Sequence, residues 1–176
     1  MPLFFITGSA GTGKTTVGRV LKTRGYEAYD VDEDGLAKWQ HNQTGYIHPK
    51  SSVKREQRTP DFLANHSWNF PRQEAEVLAA KAENMPIFLC GALANEDELY
   101  DLFGGRFALY VDDEILAHRL ATRTSGDWGK QPHELQHTLE HHSEAYEKYR
   151  RLGFIIVDAT QPLESMVDYI IQETKA

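Results

Sequence analysis

An eight-residue motif near the N-terminus constrains this chain more than any other feature. Residues 8–15 read Gly-Ser-Ala-Gly-Thr-Gly-Lys-Thr and fit the phosphate-binding loop pattern of glycine, four residues and Gly-Lys-Thr. The apolar residues 3–6 before the motif predict a buried strand, and Val17, Val20 and Leu21 after it recur at helical spacing. This order of strand, loop and helix predicts a nucleoside triphosphate site.

The residue types of the motif match what a bound polyphosphate requires. Gly8, Gly11 and Gly13 allow backbone angles that disfavour side chains, so successive N–H groups can point at the anion. We expect Lys14 to bridge the outer phosphates and the Thr15 hydroxyl to coordinate Mg²⁺. A glycine-rich turn without a ligand is the alternative. The residues predicted to bind ATP are Gly8, Ser9, Ala10, Gly11, Thr12, Gly13, Lys14, Thr15 and Thr16.

Composition and charge indicate one domain and limit its partners. A chain of 176 residues with 40% hydrophobic content is long enough for one buried core. The formal net charge of −7 argues against nonspecific nucleic-acid binding. No signal-peptide pattern precedes the first strand, and no apolar stretch approaches the length of a membrane span. We therefore expect a cytoplasmic monomer or homodimer without a nucleic-acid or membrane partner.

Short apolar segments alternate with amphipathic helices along the chain. This alternation predicts an α/β fold in which a five-stranded parallel sheet is covered by helices on both faces. The strand candidates after the first are residues 27–31, 87–90, 107–111 and 154–157. The last helix has the clearest apolar stripe, formed by Leu163, Met166, Val167, Ile170 and Ile171.

Two polar stretches interrupt this alternation. Residues 41–71 have weak periodicity broken by Pro49 and Pro60, and residues 124–132 carry two glycines around Trp128. Long irregular insertions in a compact domain usually have a function or are disordered. We expect both stretches to cover the substrates.

The chain resembles the nucleoside monophosphate kinase and shikimate/gluconate kinase group of P-loop kinases, a group that includes adenylate kinase. The resemblance is carried by the P-loop in the first strand-to-helix turn, the insertion after the second strand and the glycine-bearing segment after Arg119 and Arg123. It implies a three-layer P-loop NTPase fold and a single kinase domain over residues 1–176. By this resemblance residues 41–71 bind the phosphate acceptor, residues 124–132 form a lid, and residues 158–162 border the adenine of ATP.

Two arginines precede the predicted lid. Arg119 and Arg123 are four residues apart on a predicted helix, so both guanidinium groups can face one site. The resemblance implies that Arg119 stacks on the adenine and that Arg123 approaches the transferring phosphoryl group. We predict both as catalytic residues. A pair of solvated arginines on an exposed helix face is the alternative.

Two aspartates close the second predicted strand. Alternation along an extended chain puts Asp30 and Asp32 on the same side, at the sheet edge beside the P-loop. Carboxylates there can hold water on Mg²⁺ or accept the proton of an attacking hydroxyl. We predict that both bind substrate and that Asp32 also binds the metal and acts in catalysis; the pair resembles that of shikimate and gluconate kinases. The alternative is an acidic turn at the start of a helix.

Three arginines lie in or beside the predicted acceptor region. We predict that Arg55, Arg58 and Arg72 bind substrate, because a bidentate arginine holds a phosphate or carboxylate well. A solvated charged surface is the alternative. For the nearby Trp39 and Trp68 we favour core packing over substrate contact.

Three histidines repeat every four residues in a later predicted helix. His133, His137 and His141 lie on one helical face, opposite the stripe that contains Leu135 and Leu139. We therefore expect them to point to solvent, and Mg²⁺ with ATP is the metal that we predict.

These features together predict a small-molecule kinase that moves the γ-phosphoryl group of ATP to a nucleoside or nucleoside monophosphate. A small hydroxylated metabolite of the shikimate or gluconate type is the second class of acceptor. A P-loop ATPase or switch that acts with a protein partner is a further alternative. It has less support, because residues 87–91 end without the aspartate of a Walker B strand.

Overall fold

A five-stranded parallel sheet forms the centre of the protein. The computed structural model describes residues 2–49, 52–124, 128 and 131–175. The strands are β1 (Leu3–Thr7), β2 (Glu27–Asp30), β3 (Lys38–His41), β4 (His66–Asn69), β5 (Ile87–Cys90), β6 (Phe103–Tyr110) and β7 (Ile155–Asp158). The helices are α1 (Lys14–Thr23), α2 (Pro60–Asn65), α3 (Arg72–Ala82), α4 (Asp113–Thr122), α5 (Pro132–Arg151) and α6 (Leu163–Glu173). Five of the strands pair in the order β2-β5-β1-β6-β7, and β1 lies in the middle.

Alternate residues of β1 supply two hydrophobic cores, one on each face of the sheet. Phe4 and Ile6 pack with residues of α1, α4 and α6, whereas Leu3 and Phe5 pack with residues of α3 and α5. Full burial of each such side chain contributes about 1.5–3 kcal/mol. The predicted α/β fold, with its five-stranded parallel sheet covered on both faces, is therefore confirmed.

Strand β6 begins four residues before its predicted start. The two glycines in its first half interrupt the apolar pattern, so this part of the strand could not be predicted from the sequence. A Cβ atom at Gly104 would lie 1.9 Å from Cβ of Pro2, and one at Gly105 would lie 2.9 Å from the ring of Phe4. The glycines thus permit the close approach of the N-terminal segment and β1.

The predicted irregular insertion contains regular structure. Strands β3 and β4 form an antiparallel pair in which Trp39 lies opposite Trp68, and α2 lies between them in sequence. These strands have only four residues each, all half-buried, so their sequences show no alternation of apolar and polar residues. The first strand of this pair begins at Lys38, and acceptor binding by residues 41–71 stays a prediction.

Asn95 fastens the end of the insertion to the segment that follows β5. Its side-chain oxygen accepts a hydrogen bond from the backbone N–H of Phe70 at 3.1 Å, and its amide nitrogen donates to the Phe70 carbonyl at 3.0 Å. The residue is 8% exposed. Both backbone groups of Phe70 are thus satisfied by one side chain.

Within the described part of the chain, no helix combines the length and the apolar character needed to cross a bilayer.

We expect Asn95→Ala to lower the free energy of unfolding by about 2–4 kcal/mol, because two buried backbone groups of Phe70 lose their partners. Urea denaturation followed by circular dichroism measures the loss. Asn84→Ala, at an exposed asparagine in the turn after α3, is the matched control and should change the free energy little. Equal stability of the two variants would contradict this role of Asn95.

Candidate active site

The phosphate-binding loop joins β1 to α1 and has the backbone conformation that its glycines predict. Gly8, Gly11 and Gly13 have φ angles of +139°, +90° and +103°. These values lie in the region that L-residues with side chains rarely adopt. A Cβ atom at Gly8 would also lie 2.5 Å from the Leu109 carbonyl oxygen. The predicted need for glycine at these positions is confirmed.

Helix α4 packs directly on this loop. A Cβ atom at Gly11 would lie 3.1 Å from Leu120 and 3.2 Å from Leu116, two residues of the buried face of α4. The packing of these leucines therefore fixes the distance between the loop and the helix that carries Arg119.

Lys14 folds back over the loop, and its surroundings disfavour the charged form of its amine. Its Nζ atom donates hydrogen bonds to the carbonyl oxygens of Gly8 at 2.6 Å and Ser9 at 3.0 Å. Burial lowers the pKa of Lys14, the nearby charges of Asp32 and Asp30 oppose this shift, and the positive charge of Arg123 adds to it. The lysine, both aspartates and Arg123 thus share one electrostatic environment.

Asp30 orders the turn that carries Asp32. Its Oδ1 atom accepts hydrogen bonds from the backbone N–H groups of Asp32 at 2.9 Å and Glu33 at 3.0 Å. The Asp30 side chain is buried, whereas Asp32 is exposed. Asp30 therefore lies at an acidic turn, but β3 and not a helix follows this turn, and substrate binding by Asp30 stays a prediction.

Asp32 is held by the insertion. Its Oδ1 atom accepts a hydrogen bond of 2.8 Å from the indole Nε1 of Trp68 on β4. Although the residue is accessible, packing around the carboxylate removes water from it and so raises the pKa of Asp32; the Trp68 hydrogen bond opposes this shift, and the charge of Asp30 adds to it. One carboxylate oxygen is thus oriented by Trp68, and the other is available to a ligand.

The contact between Trp68 and Asp32 was not predicted from the sequence, for which core packing of Trp68 was the favoured interpretation. A half-buried tryptophan usually finds an acceptor for its indole N–H, and this was the available signal. The pairing of β3 with β4, which positions the ring, has no comparable signal in the sequence.

Arg119 and Arg123 are both half-buried, which disfavours the alternative of a solvated pair. Arg119 donates from Nη2 to the Ala159 carbonyl oxygen at 2.8 Å, so it contacts the segment 158–162 that was predicted to border adenine. Helix α4 ends at Thr122, and Arg123 follows as its C-cap residue. The charge of Arg123 acts on Lys14, and the catalytic roles of both arginines stay predictions.

The segment 158–162 is ordered by its own first residue. The Asp158 carboxylate accepts hydrogen bonds from the backbone N–H and hydroxyl of Thr160, at 2.9 and 2.6 Å, and from the Gln161 amide at 2.9 Å. These bonds lower the pKa of Asp158.

Two of the three arginines assigned to the acceptor are paired with carboxylates of the protein. Arg58 is 8% exposed, and its Nε lies 3.6 Å from Oε1 of Glu134, a fully buried residue of α5. Arg72 binds Asp101 through two hydrogen bonds of 3.0 and 2.6 Å. Arg55 is exposed, and its carbonyl oxygen accepts a hydrogen bond from Gln131. These hydrogen bonds and ion pairs are with residues outside the P-loop, and substrate binding by the three arginines stays a prediction.

Most of the predicted lid lies outside the described residues, namely 125–127, 129 and 130. Trp128 is half-buried and donates from Nε1 to Thr138 Oγ1 on α5 at 3.0 Å. The indole of Trp128 therefore packs on α5, nearly two turns after the start of that helix.

The histidines of α5 differ in exposure. His137 and His141 are exposed as predicted, but His133 is half-buried, with Nε2 3.0 Å from the Arg58 carbonyl oxygen. The solvent-facing prediction is wrong for His133, because the insertion covers the first turn of α5. Among the described residues, no group of three or more His, Cys, Asp or Glu side chains could hold a metal ion.

Comparisons with known proteins agree with this fold and with the loop. The sequence profile of the family described as AAA domain matches residues 5–140. No curated protein matches the chain by sequence.

Among solved structures, a shikimate kinase from Acinetobacter baumannii in complex with shikimate is 18% identical, with a TM-score of 0.61, and the match covers 99% of this chain and 93% of that one. A gluconokinase from Sinorhizobium meliloti 1021 is 22% identical, with a TM-score of 0.54 over 95% and 87%. A deoxyadenosine kinase from M. mycoides with bound dATP is 17% identical, with a TM-score of 0.57 over the whole of both chains. The fold is therefore that of the P-loop small-molecule kinases.

Asp32→Asn is expected to raise the midpoint of thermal unfolding at pH 7. Desolvation raises the pKa of Asp32 in the folded protein, so its ionised form is less favourable there than in the unfolded chain. The stabilisation should vanish below about pH 3, where the wild-type carboxyl is also protonated. Asparagine keeps an oxygen acceptor for Trp68.

Melting curves at pH 7 and pH 3 measure this difference, with Glu144→Gln at an exposed glutamate of α5 as the control. If the midpoint of Asp32→Asn at pH 7 is equal to or lower than that of the wild type, the charge of Asp32 does not destabilise the folded protein.

Proposed function

The chain belongs to the AAA domain family, and from that premise we propose that it is an ATP-dependent phosphotransferase that moves the γ-phosphoryl group of ATP to a nucleoside or nucleoside monophosphate. The observation that carries the proposal is the shared environment of Lys14 and Asp32, in which the P-loop lysine and a carboxylate held by the insertion interact electrostatically. A phosphoryl donor and a hydroxyl acceptor need these two groups at one site.

The P-loop supplies the donor half of the site. Backbone N–H groups of residues 8–13 and the N-terminus of α1 attract the phosphates. Lys14 would exchange its carbonyl contacts with Gly8 and Ser9 for phosphate oxygens, whose negative charge favours the protonated amine. Arg119 and the segment 158–162 lie on the base side of the same site.

Thr15 would hold Mg²⁺ through its hydroxyl, and Asp32 would hold it through a water molecule on the ion, because hydroxyl and carboxylate oxygens suit Mg²⁺. This ion is usually bound by one or two protein groups together with the phosphates of the nucleotide. When bound, Mg²⁺ neutralises charge on the phosphates.

Asp32 supplies the acceptor half of the site. Trp68 fixes one oxygen of its carboxylate, so the other oxygen can accept the proton of the attacking hydroxyl. The raised pKa of Asp32 makes the carboxylate a better proton acceptor than a fully solvated one. Arg123 lies near Lys14 and would stabilise the charge that spreads over the transferring group.

A small hydroxylated metabolite of the shikimate or gluconate type is the second candidate acceptor. The carboxylate of Asp32 favours it, because an oxygen that Trp68 does not hold can accept the proton of an attacking hydroxyl. The ion pairs of Arg58 with Glu134 and of Arg72 with Asp101 favour nucleosides over nucleoside monophosphates within the first class, because an acceptor phosphate would have to displace a carboxylate of the protein.

The proposal extends to the organisation of the protein. One kinase domain over residues 1–176 acts as a monomer or homodimer in the cytoplasm, with the small-molecule acceptor as its partner. The formal net charge of −7 supports the absence of nonspecific nucleic-acid binding.

A test of this function measures ADP formation from ATP and Mg²⁺ across a panel of nucleosides, nucleoside monophosphates, shikimate and gluconate. We expect ADP release that depends on one acceptor class and is lost in Lys14→Ala. Lys175→Ala, at an exposed lysine near the C-terminus, is the matched control. Turnover that no acceptor changes would favour a P-loop ATPase or switch that acts with a protein partner.

The two arginines of the site should have separable effects. Arg123→Ala is expected to lower kcat by about 10²- to 10³-fold, with little change in ATP affinity, because its charge acts on the transition state. Arg119→Ala should mainly raise the KM for ATP, since Arg119 lies beside the segment 158–162. Steady-state kinetics with the identified acceptor measure both. An unchanged kcat for Arg123→Ala would contradict its proposed role.

A further inference from the structure

A buried histidine lies behind the phosphate-binding loop and has no role in the proposed phosphoryl transfer. His142 of α5 is 2% exposed. Its Nδ1 atom lies 2.7 Å from the Ser9 hydroxyl, and its Nε2 atom lies 2.6 Å from the Val111 carbonyl oxygen. The ring stacks on Tyr110 with a centroid distance of 5.1 Å and an interplanar angle of 6°. Three contacts therefore fix the position and the orientation of this imidazole.

The partners of His142 determine which nitrogen carries the proton. The Val111 carbonyl can only accept a hydrogen bond, so Nε2 must be the donor. In the neutral imidazole Nδ1 is then an acceptor, and the Ser9 hydroxyl donates to it. The histidine thus fixes the direction of the Ser9 O–H bond as well as the position of its oxygen.

Ser9 is the residue through which such a contact reaches the rest of the loop. Its carbonyl oxygen accepts hydrogen bonds from the backbone N–H of Thr12 at 3.3 Å, from the Thr12 hydroxyl at 2.9 Å and from Lys14 Nζ at 3.0 Å. A displacement of Ser9 would therefore move both the turn of the loop and the lysine that binds phosphate.

The same face of α5 makes a second contact with the end of β1. Tyr149 follows His142 by seven residues, which is two helical turns. Its hydroxyl lies 3.4 Å from Thr7 Oγ1 and donates to the buried Glu96 carboxylate at 3.1 Å. Because α5 contacts both Thr7 and Ser9, it supports the loop on both sides of Gly8.

We propose that His142 is a positioning residue for the phosphate-binding loop, which holds Ser9 in the conformation that receives the triphosphate of ATP. The inference rests on the proposed function of the loop. His142 acts through Ser9 and does not touch the nucleotide. A loop that is already held in its binding conformation loses less conformational freedom when ATP binds. Loss of the His142–Ser9 contact should therefore weaken ATP binding more than it lowers the stability of the fold.

Two substitutions of His142 separate its two hydrogen bonds. Asparagine places an amide oxygen near the position of Nδ1, where it can accept from Ser9, whereas glutamine places an amide N–H near the position of Nε2, where it can donate to Val111. Ser9→Ala removes the first bond from the other side without changing α5. The Kd for ATP·Mg²⁺, measured by isothermal titration calorimetry without acceptor, is the readout.

We expect His142→Gln and Ser9→Ala each to raise the Kd by about three- to tenfold, the loss that corresponds to one hydrogen bond. His142→Asn should stay close to the wild type. The double variant Ser9→Ala/His142→Gln should bind like either single variant, because both remove the same bond. Wild-type affinity of Ser9→Ala, or multiplied effects in the double variant, would overturn the proposal.

Lys14→Ala distinguishes this inference from the proposed function. If Lys14→Ala loses ATP while His142→Gln and Ser9→Ala bind it as the wild type does, the loop is a nucleotide site and only the role of His142 is wrong. If the wild type itself does not bind ATP, both the proposed function and the inference are overturned.

Discussion

The central place of β1 in the sheet is the constraint on which the site depends. Strand β1 pairs with β5 on one side and β6 on the other, and its residues 3–7 are all buried. Parallel pairing brings the carboxyl ends of its neighbours to one edge, where ligands bind in folds of this type. The loop after β1, Asp32 after β2 and the segment after β7 therefore all follow the carboxyl ends of strands at this one edge.

Two charged residues at this edge lie in environments that oppose their ionisation. Burial lowers the pKa of Lys14 and raises that of Asp32, so each charged form is disfavoured in the folded state. Shifts of this kind concentrate at functional sites. Burial, with a smaller contribution from the charge of Asp30, raises the pKa of Cys90 to about 12, which leaves an inert thiol.

The features that the sequence predicts well are those with a local signal. Strands β1 and β5 are apolar almost throughout, and the glycines of the loop are required by local backbone angles. The features that it misses depend on tertiary pairing. The contact between Trp68 and Asp32 requires the β3–β4 pair, and the ion pair of Arg58 with Glu134 joins segments 76 residues apart (134 − 58). His142 shows the same limit, because its contact with Ser9 joins distant parts of the chain and the sequence gives no local signal for it.

The fate of the γ-phosphoryl group tests the central claim most directly. Asp32 and Lys14 are proposed to serve one phosphoryl transfer between two small molecules. A ³¹P NMR spectrum of a reaction with ATP, Mg²⁺ and the accepted substrate follows every phosphorus atom. We predict a new phosphomonoester signal, or a new diphosphate signal for a monophosphate acceptor, in the same amount as ADP. Inorganic phosphate in the amount of ADP, with no phosphorylated acceptor, would contradict the account.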